Sequence, residues 1–486
     1  MKNSIITVSA ALLLGTMVAA ASVRLSGRVL SADGPVAGVP VTDGVKFTLT
    51  DKNGKYNMES ADDTRFVYIT IPDGYKVGVE GGVPVFYAQV TPDAKGRFRH
   101  DFSLEKSDKD MNRQALFVMA DPQVYFDPDL NEVEKAALEM KATAESEYAD
   151  REVLGLCLGD IVGQISQGEK YFPWMIRNIA KTDFPYFYIC GNHDIENGVP
   201  TNEEARQSFN RYFGPSYYSF NRGKVHYVVL DDTYWMGRYY AGYIEKKQLD
   251  WLRDDLAMVP EGSTVIVAQH IPCYSREARK QEWNKESYHK VVSNRQALFK
   301  LLKPYDAHIM SGHEHYNENY ILAGNLYEHC HAPLSTLFWC APWAMDGTPG
   351  GYAVYEIEDG KIKDWHYKSV GFPKDYQMNV YPVGVSREHP EAIVANVWNY
   401  DSSWKVELLE DGVPTAEMTR FRGHDPNLWA DVEKNGKSYA FPYLGCDWTE
   451  HLFFAVPQNP DADITVRATD GHGTVYTAKP KPITVR

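Results

Sequence analysis

Cysteine is scarce in this sequence, six in 486 residues, too few for a disulfide-built scaffold. Their even number permits pairing in an oxidising space, with Cys330 and Cys340 as the expected pair. Cys157 and Cys190 fall inside apolar strand-like runs, 154–158 and 186–190, and are expected to be buried free thiols. An excess of positive charge is also missing. With 50 Lys+Arg against 65 Asp+Glu the formal charge is −15, which repels a phosphate backbone and argues against general nucleic-acid binding. A phosphate-bearing substrate then needs a local cation. No apolar run after the N-terminal segment is long enough to span a bilayer, so no transmembrane segment is expected in the mature chain. Internal repeats and low-complexity tracts are absent too. A content of 44% hydrophobic and 24% charged residues excludes wholesale disorder and collagen-like or polytopic membrane architectures.

What is present begins with Lys2, an apolar run over 5–20 and the small residues Ala19-Ala20-Ala21-Ser22. That order predicts a signal peptide over 1–21 and an exported protein, periplasmic or at the cell surface; an uncleaved anchor is the alternative. The first cysteine is Cys157, so a lipid anchor at the cleavage site is excluded. The length predicts about three domains. Residues 22–105 alternate short strand runs with turn signals such as Asp51-Lys52-Asn53-Gly54, which predicts a small β-sandwich. The phrases Ser26-Gly27-Arg28-Val29 and Thr50-Asp51-Lys52-Asn53-Gly54-Lys55-Tyr56 resemble carboxypeptidase regulatory-like, transthyretin-type modules. After the polar stretch 105–110, residues 113–372 alternate strands with helices, an α/β pattern. Asp359-Gly360 then predicts a closing antiparallel hairpin. Residues 376–486 return to short strands and turns, a second β-sandwich.

The chemistry-bearing residues follow the central strands, where α/β sheets gather ligands. They are Asp121-Pro122-Gln123, Gly159-Asp160, Gly191-Asn192-His193-Asp194, His270 and Gly312-His313-Glu314-His315. Each motif alone is weak. Together, carboxylates, amide oxygens and imidazoles from successive strand ends form a ligand set suited to two metal ions.

On these motifs the sequence resembles the calcineurin-like metallophosphoesterase family over residues 115–367, with flanking β domains like those of its exported bacterial members. The resemblance implies a central β-sandwich wrapped by helices, flanked by two smaller all-β sandwich domains. It implies a phosphate-ester hydrolase in which a metal-bridging hydroxide attacks phosphorus. Asp121, Gln123 and His315 would bind the first metal, Asp160 would bridge, and Asn192, His270 and His313 would bind the second. His193 would be the general acid, with Asp194 orienting its ring. The family commonly has His where this chain has Gln123. The neutral, harder amide favours Mn²⁺ or Mg²⁺ over Zn²⁺, so Mn²⁺ is expected first, with Fe, Mg²⁺ and Zn²⁺ as alternatives. The Asp-x-Gln form is similar to that of manganese-dependent pyrophosphatases of the superfamily, so diester, pyrophosphate and monoester substrates, small or envelope-derived, all stay open. So does the oligomeric state. The competing reading is a non-enzymatic binding protein with a retired catalytic core. Asp231-Asp232 is expected to be a structural cap, and His329 and His331 to line the substrate entrance or form a solvated strand face. Tyr316, Trp339 and Trp343 are expected to clamp a leaving group or to pack between domains.

Overall fold

In the strand Arg113–Met119, alternate side chains serve two different cores. Leu116 and Val118 join Leu154 and Leu156 against Val265, Val267 and Ile309. Ala115, Phe117 and Met119 face Val133, Ala136, Met140, Phe172 and Met175 on the helices Asp129–Glu147 and Gly168–Ile179. A period of two over a wholly apolar run is what a sheet covered on both faces requires. The structure is a computed structural model and describes residues 22–280 and 282–485; the expected signal peptide at 1–21 lies outside the described residues.

Two mixed sheets form the central sandwich. The first is 5-stranded in the order Tyr186–Tyr188, Glu152–Cys157, Arg113–Met119, Gly351–Glu358, Lys361–Ser369. Its first three strands are parallel, and the hairpin 351–369 closes it antiparallel. Asp359 and Gly360 both have positive φ, the two-residue turn that Asp-Gly favours. The second sheet is 6-stranded: Tyr218–Arg222, Val225–Val229, Thr264–Ala268, Asp306–Ser311, Leu326–Cys330, Glu318–Ala323. Its four inner strands are parallel. The helices Lys246–Leu256 and Arg295–Leu302 cover it with Trp251, Leu252, Leu298 and Leu302, all buried. Full burial of an aliphatic side chain contributes about 1.5–3 kcal/mol, so these layers fix the strand ends that carry the site.

Smaller sheets flank the sandwich on both sides. In the N-terminal region, Lys55–Ala61 alternates exposed with buried residues and pairs with Ser22–Ser31. This region docks on the edge strand of the second central sheet, where Asn221 N–H donates to the Ile71 carbonyl (2.9 Å) and Thr70 and Ser219 share a hydroxyl bond (2.9 Å). The C-terminal region holds two 4-stranded sheets. It also holds a helix, Pro426–Asn435, where only strands and turns are expected. Asp425 caps it by accepting from the Leu428 N–H, and Pro426 begins it, a start signal of ordinary type. Buried Asp346 joins this region to the core by accepting from Asn317 N–H (2.7 Å) and meeting His451 Nε2 (3.0 Å). No helix among the described residues is long and apolar enough to cross a membrane.

The expected Cys330–Cys340 disulfide is not formed. All six cysteines are free, the Cys330 thiol being buried against the Gly312 carbonyl (3.5 Å) and Cys340 packing on the C-terminal cluster around Leu428. Cys157 and Cys190 are buried free thiols, as expected.

Candidate metal centre

The parallel strands of both sheets end on one side, and the loops after Met119, Cys157, Tyr188, Val229, Ala268 and Ser311 converge there. Asp121, Gln123, Asp160, His313 and His315 all adopt positive φ, between 30° and 69°. Left-handed backbone at a non-glycine residue costs on the order of 1–3 kcal/mol and persists where surrounding structure enforces it, typically at functional sites. The glycines of these motifs are steric necessities. A Cβ on Gly191 would collide with the Asp160 backbone N and Oδ1, and one on Gly312 with Asp121 Oδ2.

Two groups of potential ligand atoms result, Asp121/Asp160/His315 and Asp160/His270/His313, each with its atoms within 4.8 Å of one another. Asp160 belongs to both. Its Oδ1 accepts the His193 backbone N–H (2.8 Å), and its Oδ2 accepts from Gln123 Nε2 (3.0 Å). Asp121 accepts the His313 N–H at 2.9 and 3.1 Å and lies 3.6 Å from His315 Nε2. His270 Nδ1 is 2.8 Å from the Leu158 carbonyl, so a cation in the cluster, by displacing the second proton, would leave a ring protonated at Nδ1 with a bare Nε2 turned inward. That Nε2 meets Asn192 Oδ1 at 3.0 Å, His313 Nδ1 at 3.1 Å and Asp160 Oδ1 at 3.3 Å. All seven residues expected as metal ligands are therefore drawn into one cluster.

The donor set fits divalent cations. Electron-rich atoms converge on His270 Nε2, while Gln123 Oε1 and His315 Nδ1 are buried without a hydrogen-bond partner; such atoms are expensive to leave unpaired. A half-turn of the Gln123 amide exchanges its oxygen with the nitrogen now at Asp160. The protonation pattern also calls for positive charge. Burial depresses the His270 imidazole, yet Asp160, Asp121 and Asp232 push it up to about 10. Burial, with Asp160 beside it, drives the Asp121 carboxyl far above its ordinary value. His315 is held down to about 3 by burial, so its ring is a neutral donor at physiological pH.

His193 stands at the rim, its side chain one-third exposed and Nε2 4.0 Å from Asp160 Oδ2. Its Nδ1 bonds the Gly163 carbonyl, which fixes the ring and aims Nε2 at the cluster. The expectation that Asp194 orients this ring is corrected. Asp194 is fully buried and accepts the N–H groups of Ile161 (2.9 Å), Val162 (3.2 Å) and Gly191 (3.0 Å), tying the Asp160 loop to the Asn192 loop. Three backbone amides within reach take the carboxylate away from the neighbouring ring.

Other expectations also shift. Asp232 caps no helix; it accepts the His270 N–H (3.3 Å) and Ile271 N–H (2.9 Å) and so sets the turn carrying His270. Asp231 pairs with buried Arg206. His329 and His331 neither line an entrance nor face solvent. His331 Nε2 meets the Tyr355 hydroxyl (2.9 Å) and His329 meets His308 (3.1 Å), all buried between the sheets. Tyr316 and Trp343 are buried, and Arg276 covers the Tyr316 ring. The Trp339 indole N–H reaches the Pro122 and Gln123 carbonyls (3.2 Å each), bracing the first loop. Three further contacts had no sequence signal: the Gly163 carbonyl on His193, Phe338 stacked on His315 (4.6 Å) and Tyr240 edge-on to His313 (6.1 Å).

Three family models match this chain in succession. Residues 23–107 match the N terminal of Calcineurin-like phosphoesterase, residues 118–317 Calcineurin-like phosphoesterase itself, and residues 328–476 its C terminal. The chain belongs to the calcineurin-like phosphoesterase family. Within this family it is 27% identical over 186 residues to human Serine/threonine-protein phosphatase CPPED1, covering 38% of this chain and 55% of that protein. It is 32% identical over 156 residues to Purple acid phosphatase 15 of Arabidopsis thaliana, covering 30% and 27%. This phosphoesterase-family chain thus spans about half the length of CPPED1. Among solved structures it resembles a dimetal phosphatase from Danio rerio (12% identity, TM-score 0.38, 50% of this chain and 93% of that one). A purple acid phosphatase from yellow lupin is also similar (14% identity, TM-score 0.36, 66% and 58%).

Proposed function

We propose that this chain is an exported hydrolase of phosphate esters that works with two divalent ions, Mn²⁺ foremost. The observation that carries the reading is the pair of ligand groups meeting at the shared Asp160 carboxylate. Asp121, Gln123, Asp160 and His315 would hold one ion, and Asp160, Asn192, His270 and His313 the other. When bound, such a pair neutralises phosphoryl oxygens and makes water nucleophilic at neutral pH.

The chain's own residues supply the rest. Asp232 and the Leu158 carbonyl keep His270 in one tautomer and one orientation, and Trp339 braces the Gln123 backbone. Partners of this kind conserve ligand geometry and basicity. With Nδ1 held by the Gly163 carbonyl, His193 holds or delivers a proton at Nε2, on the open side of the cluster where a leaving oxygen needs one. The acidic surface is no obstacle, because cations at the reacting centre outweigh a diffuse charge screened over about 8–10 Å. The order of charged, apolar and small residues at the N-terminus supports export, to the periplasm or the cell surface.

The test is a hydrolysis panel on the chain beginning at Ser22, loaded with Mn²⁺ or stripped by chelator, with monoester, diester and pyrophosphate substrates. Metal-dependent turnover is expected, and its preference identifies the bond class. No turnover with fewer than one tightly held ion per chain would favour the binding-protein reading, whereas no turnover with metal bound would point to a narrow substrate requirement.

A further inference from the structure

A cavity of about 480 Å³ opens beside the metal centre. It is lined by aromatic residues, among them Tyr234, Tyr239, Tyr240, Tyr243 and Tyr288. Large apolar side chains ordinarily turn inward, yet Tyr239, Tyr288 and Met236 are 45%, 47% and 56% exposed around this one opening. Exposed apolar surface gathered in a concavity marks a binding place.

The cavity is joined to the metal centre by Tyr240. That ring lines the cavity, stacks on His289 at 4.9 Å and stands edge-on to His313 at 6.1 Å. Tyr240 sits on the hairpin Thr233–Trp235/Tyr240–Gly242, which follows Asp232 directly. Tyr243, just after it, donates its N–H to the Asp232 carbonyl (2.8 Å). The loop that positions His270 therefore also builds the cavity. The chain supplies positive charge here despite its net −15. Lys285 Nζ lies 3.7 Å over the Tyr239 ring.

We propose that this cavity receives the alcohol portion of the phosphate ester, and that this portion carries a flat aromatic group. The inference rests on the phosphoesterase reading and narrows its substrate. Flat rings suit the site because Tyr and His faces stack at low entropic cost, whereas a small polyol finds few hydrogen-bonding groups on such walls. An aryl group and a nucleobase share this chemistry.

The test uses Mn²⁺-loaded protein and the variants Tyr239→Ala and Tyr288→Ala. For turnover, kcat/KM is compared for phenyl phosphate, a nucleoside monophosphate and glycerol phosphate. The wild type is expected to prefer at least one aromatic ester, and each variant to lose about tenfold of that preference, chiefly in KM. Whichever aromatic ester leads tells aryl from nucleobase. For binding, calorimetry compares phenylphosphonate with methylphosphonate, neither of which is hydrolysed. Tighter binding of the phenyl compound, weakened in both variants, supports the cavity even if no ester turns over, in which case only the phosphoesterase reading falls. Equal binding of the two phosphonates, or an unchanged ester preference in both variants, overturns the proposal while leaving hydrolysis itself intact.

Discussion

Gly191→Ala is the most informative small change at the centre. The backbone at Gly191 tolerates alanine, since its φ is not among the positive values. The added Cβ, however, would lie 2.9 Å from the Asp160 Cα and still closer to its N and Oδ1. Non-bonded carbons settle at about 3.5–4.0 Å, so Asp160 must retreat by about 0.6–1.1 Å. Asp160 is the residue common to both ligand groups, so the retreat opens both at once. A misplacement of about 1 Å costs on the order of 10²-fold in rate, and overpacking costs about 1–3 kcal/mol of stability. The assay is kcat under saturating Mn²⁺, with circular dichroism and thermal melting to show that the fold persists. A folded variant with wild-type kcat and wild-type Mn²⁺ affinity would refute the geometry assigned to Asp160.

Gln123→His should move metal preference toward Zn²⁺, because imidazole replaces a neutral oxygen donor next to Asp160; an unchanged profile of activity against metal would remove Gln123 from the ligand set. Glu328 is fully buried, with its Oε1 bonded to the Ser311 hydroxyl at 2.7 Å, and burial pushes its carboxyl up from 4.5 to about 8. Below pH 4.5 folded and unfolded chains both carry the proton, whereas between 4.5 and 8 only the folded chain does. Stability from this group therefore falls as pH rises through that window, by on the order of a few kcal/mol. Glu328→Gln should melt with a shallower loss between pH 5 and 8, and parallel pH slopes would contradict the assignment.

The ligand set was legible because each member follows a short apolar run in a β/α alternation, and parallel strands deliver their ends to one edge. The α/β alternation of the central region was readable for the same reason; its division into two sheets came only with the family resemblance, and the closing hairpin from its Asp359-Gly360 turn. What depended on backbone traffic was not. Asp194 adjoins His193 in sequence, but the amides of Ile161, Val162 and Gly191 claim its carboxylate. His329 and His331 look polar on a strand, but the strand Leu326–Cys330 lies inside the second sheet, where Tyr355 and His308 meet them. The aromatic cavity was hidden as well, since Tyr239 and Tyr288 are far apart in sequence and meet only when the hairpin ending at Gly242 packs beside the helix Lys285–Lys290.

The central claim is that one carboxylate organises two metal ions. Metal content per chain after dialysis against Mn²⁺ tests it most directly, measured by elemental analysis on the wild type and on Asp160→Asn. The account predicts two ions in the wild type, and in the folded variant a loss of tightly held metal accompanied by a fall in turnover of orders of magnitude. A single ion in the wild type, or an Asp160→Asn variant that keeps two ions and near-normal turnover, would contradict it.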